Sequence, residues 1–573
     1  MDESGTIHGI PYRVRDKNPP KTRRYFKVLR FLEKENIPQL PFKEAIERIL
    51  NAKYIPEYSK RGIKEIIVYP SARILAFRCV ETQEIFNKRW RIAKEVGWYP
   101  YVTGVELRIS EISKFVDECT KFNNLESLRF DIPIKTPIVL QVIASSSNNN
   151  AYLLRIGTFN ILLDCSMDKN SLKYLIENDL VDIVVITHAH IDHAGSIIEF
   201  VERGYSGPIL MTATTTDYIA FRSWKDKEKL TNFLSKVFMV PYEKDIKIAK
   251  DVTITFYRSG HLPGSAMILI KVEDFRFLYT GDFFLRDRPP MGGGRESIDK
   301  INSPIDVLLF DSTFGNIEMP PDNVIFEKLL SEIENTLKTN GNVLISTTPG
   351  SYDLTLYLKL FEYFTRKGWK PSVYMEPRII EFMKFIKYRK DDQAVSIKEL
   401  IEKERDPFSS VMRKEIRKPL DMIKALGESS IIISHPHDLT RPPITNYLVK
   451  ISERENCLLV LTGAQREGIG KEIINGKRHI RIKHHEFGTY RIIEKEIEIK
   501  NRIFNVIHPN YVLASHADMK QIEYVIKKLR PSIAIPFHSS GEIINALLKN
   551  TDITRISKII RIGPKSELVL KES

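Results

Sequence analysis

The chain is 573 residues long, with 87 Lys+Arg against 73 Asp+Glu, a formal net charge of +14 and 42% hydrophobic residues. That length implies two or three domains at ~150 residues each, with enough apolar content for sizeable cores. There is no apolar run near the ~18 residues of a membrane helix, no signal-peptide core, and no paired spacing among Cys79, Cys119, Cys165 and Cys457. A membrane protein and a secreted disulfide scaffold are excluded. A protein of the reducing cytoplasm is expected, and the basic excess favours a polyanionic partner such as nucleic acid.

Residues 1–130 hold 25 Lys+Arg against 17 Asp+Glu, +8 of the total, and read as a separate basic α+β domain of unknown role. A polar lead-in around Pro19-Pro20 precedes helices over Tyr25–Leu32, Phe42–Leu50 and Ser110–Phe122, with a strand over Glu65–Tyr69. This part has no repeat and no GxxG loop. Its basic surface fits either a nucleic-acid backbone or plain solvation.

From Pro137 the texture changes to short strands. Ile138–Ile143 is one; Tyr152–Ile156 and Ile161–Asp164 form a hairpin across Gly157-Thr158, after the turn-rich Ser145–Asn150. Asp164, at the hairpin's end, is placed to orient a metal ligand from behind. The β-branched run Ile183–Ile186 then opens into Thr187-His188-Ala189-His190-Ile191-Asp192-His193-Ala194-Gly195, with an apolar helix from Ser196. Three of the chain's 13 histidines fall within six positions beside a carboxylate. A catalytic zinc uses three protein ligands and keeps one position open, so four such side chains on one turn imply two metals.

Three more strands end in the same way. Thr253–Arg258 runs into Ser259-Gly260-His261-Leu262-Pro263-Gly264-Ser265. Phe275–Tyr279, paired with Met267–Ile270, runs into Thr280-Gly281-Asp282, and Ile305–Phe310 runs into Asp311-Ser312-Thr313. His261 reads as a further ligand, and Asp282 as a carboxylate suited to bridging two ions.

In this order, Asp164, the HAHIDH of 188–193, His261 in GHLPGS and Asp282 in YTGDF resemble four successive motifs of the metallo-β-lactamase fold. Asp311 in FDSTFG resembles motif A of the β-CASP nucleases. That branch includes the pre-mRNA 3′-end endonuclease, its archaeal relatives, ribonuclease J and Artemis-like DNA nucleases. The resemblance covers about residues 137–573 and implies an α/β fold. A metallo-β-lactamase αββα sandwich would span 131–316 and 501–573, interrupted by an α/β β-CASP cap over 317–500 and preceded by the small α+β N-terminal domain.

Further along, Tyr511–Asp518 resembles motif B, with His516, and Ile533–Phe537 followed by His538 resembles motif C; helix Met519–Leu529 between them reads as a βαβ crossover. Three places depart from the family pattern: Gly350-Ser351 for Gly-Arg, His435-Pro436-His437 for Ser-Pro-Gly, and Ser539-Ser540 for Gly-Glu.

Carried across by motif, the resemblance implies two Zn2+ ions. One would be held by His188, His190, His261 and Asp282, the other by Asp192, His193, His538 and the bridging Asp282. It implies in-line attack on phosphorus by water that the metals acidify. His516, steadied by Asp311, would protonate the departing 3′-oxygen, leaving 5′-phosphate and 3′-hydroxyl ends; Asp192 and Asp164 complete the catalytic set.

A histidine at motif C is typical of RNA-cleaving branches, so single-stranded RNA is the expected substrate. The THAHIDHAG stretch leans toward endonuclease over 5′–3′ exonuclease action. Lys471, Lys477, Arg478, Arg481 and Lys483 read as a track for the phosphate backbone, or as a solvated edge strand. A homodimer or an RNA-processing complex follows by family analogy alone. The alternatives are a DNA nuclease of repair, disfavoured by His538, and a catalytically silent RNA-binding subunit, disfavoured by the complete ligand set.

Overall fold

The computed structural model describes residues 3–15, 19, 23–55, 63–79, 85, 88–104, 109–130, 132, 137–224, 226–402, 406–417, 419–463, 465, 468–486, 491–508, 511–512 and 515–572. It divides into two compact units, Met1–Ile112 with Phe221–Thr231, and Ser113–Ala220 with Asn232–Ser573. Among the described residues no helix is long and apolar enough to cross a membrane.

The first unit is built on a five-stranded mixed sheet ordered as in the chain: Ser4–Ile7, Ile10–Val14, Ile63–Tyr69, Ile74–Cys79 and Tyr99–Gly104. Side chains alternate between its faces. Helices Phe42–Asn51 and Arg89–Val96 bury Ile46, Ile49 and Ile92 against Ile66, Val68 and Phe77 on one face. Helix Arg23–Lys34 buries Val28 and Leu32 against Ile74 and Ala76 on the other. Residues 20–22 of the polar lead-in lie outside the described residues.

The helix expected over 110–122 runs Ile109–Thr120, and from Ser113 onward the chain belongs to the second unit. Ser113 Oγ donates to Asp217 at 2.7 Å, and Asn123 Nδ2 donates to the Val237 carbonyl at 2.7 Å. The first unit's leading stretch therefore ends at Ile112 rather than at 130.

In the second unit two seven-stranded sheets pack face to face. One is ordered Val237–Met239, Ile209–Met211, Ile183–Val185, Phe159–Leu163, Asn150–Ile156, Ile138–Ser145, Glu567–Lys571. The other is ordered Asp245–Ala249, Val252–Arg258, Ala266–Val272, Phe275–Tyr279, Val307–Asp311, Ile533–Phe537, Lys558–Ile559. Alternate residues of both, Leu140, Leu154, Ile161 and Leu163 from the first and Ile254, Phe256, Ile268 and Phe277 from the second, make one core. Helices Arg295–Lys300, Met519–Leu529 and Gly541–Lys549 cover the outer face of the second sheet through Leu278, Leu308 and Phe310.

Val307–Asp311 and Ile533–Phe537 are parallel neighbours, yet the chain between them builds a sheet of its own. Its six parallel strands are ordered Arg413–Glu415, Ser372–Met375, Ser430–Ser434, Val343–Ser346, Leu458–Leu461, Arg502–Asn505. The central strands are fully buried, as near-continuous Val, Ile and Leu require. Two expectations change here. The cap runs past 500, because Arg502–Asn505 is the sheet's edge strand. Tyr511–Val512 pairs with Ile507–His508 as a separate ribbon, so the strand that enters Ile533–Phe537 in parallel is Val307–Asp311, not motif B. Leu513 and Ala514 lie outside the described residues.

Candidate metal centre

Strand after strand of the sandwich ends at one place. Phe159–Leu163 delivers Asp164, Ile183–Val185 the 188–193 cluster, Val252–Arg258 His261, Phe275–Tyr279 Asp282, and Ile533–Phe537 His538. The helix expected from Ser196 is preceded by one turn, Ile191–Ala194, which carries Asp192 and His193, and resumes at Ile197–Glu202. Gly281 makes the convergence possible: at φ +49°, a Cβ there would lie 2.7 Å from Thr187 Cβ, so only glycine lets the Asp282 loop close on the histidine loop.

The donor atoms of His188, His190, His261 and Asp282 lie within 4.8 Å of one another, as do those of Asp192, His193 and His538. Asp282 faces both groups. Its Oδ2 is 3.6 Å from His188 Nε2 and 3.5 Å from His261 Nε2; its Oδ1 is 3.2 Å from His193 Nε2 and 3.4 Å from His538 Nδ1. A third group, Asp282, Asp311, His516 and His538, overlaps them. Among the described residues His188 Nε2 and Asp282 Oδ1 are buried without a hydrogen-bond partner. Leaving such groups unsatisfied costs roughly 1–3 kcal/mol each, a cost that a divalent cation between them removes. The residues present therefore fit a pair of divalent metal ions.

The far sides of the rings are tied down. Asp164, fully buried in the left-handed region at φ 58°, accepts from His193 Nδ1 at 2.7 Å, from Thr187 N at 2.7 Å and from Tyr279 OH at 2.7 Å. His261 Nδ1 donates to the Ser515 carbonyl at 2.9 Å, and His188 Nδ1 lies 3.0 Å from Thr187 Oγ1. Each contact leaves Nε2 as the forward, lone-pair nitrogen. His538 also sits in the left-handed region, at φ 56°, a conformation that persists only where its surroundings hold it.

Charge is partitioned unevenly. Burial pushes His188 and His261 well below the usual imidazole range, and His190 below it. Burial opposes charge on His193 too, but Asp282 and Asp164 outweigh it and hold that ring well above. The Asp282 carboxyl, despite burial, is held well below its usual range by His193, His516 and His538. His516 Nδ1 contacts Asp311 Oδ2 at 2.7 Å and stands 3.9 Å from Asp282 Oδ2, its side chain 23% exposed. Burial works against its charge, yet Asp311 and Asp282 raise it to about 9.

The sequence motifs missed Asn150, Thr187 and Tyr279. Thr187 opens the histidine stretch and Tyr279 opens YTGDF, each without a role assigned to it; Asn150 ends a Ser/Asn turn and carries no signal of its own. The expected nucleic-acid residues stand elsewhere, on the cap. Lys471 lies on helix Gly468–Ile474, and Lys477 is paired with Glu472 at 2.6 Å. Arg481 and Lys483 lie on strand His479–His485, where Ile480 and Ile482 are buried and the two cations exposed. Across the hairpin Arg481 faces Glu496 and Lys483 faces Glu494.

A sandwich whose strand ends carry this histidine–aspartate set defines a metal-dependent hydrolase. Residues 146–326 match the family model described as metallo-beta-lactamase superfamily. The chain is 26% identical over 429 residues to an RNase J-like protein of Methanocaldococcus jannaschii, covering 72% of this chain and 93% of that one. It is 26% identical over 492 residues to the transcription termination factor FttA of Methanothermobacter thermautotrophicus, covering 77% and 74%. It is 24% identical over 422 residues to Integrator complex subunit 11 of Gallus gallus, covering 68% and 66%. Residues 146–326 thus carry a metallo-β-lactamase superfamily domain, the relatives that the longer chain resembles are β-CASP proteins, and the chain is a metal-dependent hydrolase of the nuclease kind.

Proposed function

We propose that the protein is a zinc-dependent ribonuclease that cuts single-stranded RNA internally, leaving 5′-phosphate and 3′-hydroxyl ends. The observation that carries this reading is Asp282, whose two oxygens face two separate donor groups while the His516–Asp311 pair stands beside it. His188, His190, His261 and Asp282 would hold one ion, and Asp192, His193, His538 and Asp282 the other. When bound, two ions supply Lewis acidity toward the phosphate and acidify water.

The protein's own groups do the rest. Asp164 fixes the His193 tautomer through Nδ1. Asp311 holds the His516 ring by Nδ1, so that its Nε2 proton faces outward to meet the departing 3′-oxygen. His538 at motif C supports RNA over DNA, as do relatives named for RNase activity. The domain limits that go with this reading are a basic N-terminal domain, a two-part metallo-β-lactamase domain and a β-CASP cap. The exposed Lys471, Arg478, Arg481 and Lys483 of the cap would contribute to holding the phosphate backbone. Free Cys119, Cys165 and Cys457 fit a cytoplasmic setting, and relatives named as a termination factor and as a complex subunit support action within an RNA-processing assembly.

The test is zinc-loaded protein with matched RNA and DNA oligonucleotides. Cleavage of RNA, abolished by His190→Ala, is the expected result; cleavage of DNA alone, or full activity in His190→Ala, would overturn the reading.

A further inference from the structure

We infer that Asn150 is a further ligand of the second metal ion, supplying its side-chain oxygen beside Asp192, His193 and His538; this rests on the two-metal reading above. Asn150 opens strand Asn150–Ile156 and is fully buried. One end of its amide, the nitrogen, lies 2.7 Å from His538 Nε2, 3.4 Å from His193 Nε2 and 3.2 Å from the Asp192 carbonyl oxygen. It thus touches all three residues of the second donor group.

Lone-pair accounting decides what this contact means. His193 Nδ1 is engaged by Asp164, so Nε2 is its lone-pair nitrogen, and the same atom faces Asp192 at 3.7 Å. His538 Nε2 likewise faces Asp192, at 3.8 Å. A cation seated among these donors takes the imidazole lone pairs and repels an amide N–H directed at them. A half-turn about χ2 exchanges the two ends of the amide. It turns Oδ1 toward the cation and brings Nδ2 to the place where Oδ1 now sits, 3.3 Å from Tyr152 OH. The hydroxyl oxygen can accept there, because its own proton goes to Ser145 Oγ at 2.9 Å. The inner end of the amide is satisfied in either orientation; at the outer end the half-turn gives up the N–H donated to the Asp192 carbonyl, a loss that the bond from Oδ1 to the ion must outweigh. Side-chain amide carbonyls are accepted oxygen donors to divalent ions. A contact to substrate phosphate is the less fitting role, since Asn150 has no exposed surface.

The test uses the full chain, stripped of metal and titrated with Co2+ against a chromophoric chelator, with the visible cobalt band recorded. Wild type is expected to bind two ions. Asn150→Ala should keep one at wild-type affinity and weaken the other at least tenfold, with a changed band. Asn150→Asp, which retains an oxygen but no amide donor, should bind both at least as tightly as wild type and shift the band. An Asn150→Ala protein that binds both ions as wild type does would overturn the inference. So would an Asn150→Asp protein as weak as the alanine variant, because Asn150 would then act only as a hydrogen-bond donor. If the alanine variant fails to fold, the aspartate variant carries the test: an unshifted cobalt band overturns the inference. Wild type binding fewer than two ions would instead sink the two-metal reading beneath it.

Discussion

Replacing Asp164 by asparagine probes how the second donor group is held. The carboxylate works through both oxygens: Oδ1 accepts from Thr187 N at 2.7 Å, and Oδ2 from His193 Nδ1 and Tyr279 OH, each at 2.7 Å. Asparagine keeps the shape and tolerates the left-handed backbone at φ 58°. With its oxygen on Thr187, it presents N–H where Oδ2 was. The Tyr279 hydroxyl can rotate to accept, and His193 can accept only by moving its proton to Nε2. That tautomer has no forward lone pair for a metal. Loss of one such supporting contact lowers metal affinity about 10–100-fold, or about 1.4–2.7 kcal/mol at 1.36 kcal/mol per tenfold. The expected result in chelator competition is one ion bound as in wild type and one weakened by that factor. The fold should lose only about 1–2 kcal/mol in urea, the cost of one exchanged buried hydrogen bond. Two ions bound at wild-type affinity would refute the tautomer argument.

Other consequences are checked more simply. Arg389 grips the buried Asp217 with two bonds of 2.7 and 2.8 Å, so Arg389→Met should cost about 3–5 kcal/mol in urea unfolding, and the added Asp217→Leu should recover most of it. Burial lifts the Glu376 carboxyl to about 7, against the hydrogen bonds from Tyr447 and Ser434. Its proton is bound more tightly in the folded state, so stability should fall as pH rises from about 4.5 to 7, by on the order of 3 kcal/mol, and level off above. Glu376→Gln should flatten that slope in urea midpoints measured across the range. Glu496 and Glu494 stand directly across the hairpin from Arg481 and Lys483, so alanine at both cations should lower the slope of log affinity against log salt for single-stranded RNA by about one unit rather than two.

What was legible in the sequence is what is local. Each expected ligand stands near the end of a short apolar strand in a recognisable motif, and every one of His188, His190, Asp192, His193, His261, Asp282 and His538 joins a group that could hold a metal ion. The alternation of Lys and Arg with Ile in 479–485 correctly marks a strand with one buried face. The glutamates opposite it were not legible as partners, because register across a hairpin is set by tertiary pairing. The same holds for Tyr511–Val512, which reads as a sandwich strand yet pairs with Ile507–His508. Asn150 escaped because asparagine in a Ser/Asn run is most simply a turn residue. Only burial and the 2.7 Å approach to His538 mark it out.

The central claim is that this centre cuts RNA internally. The most direct measurement offers zinc-loaded protein a circular single-stranded RNA beside a linear RNA of the same sequence with a 5′-monophosphate. The account predicts that the circle is opened, with 5′-phosphate and 3′-hydroxyl ends, and that His516→Ala leaves it closed. A circle left intact while the linear RNA is degraded to mononucleotides would contradict internal cutting, and survival of both RNAs would contradict the assignment as a ribonuclease.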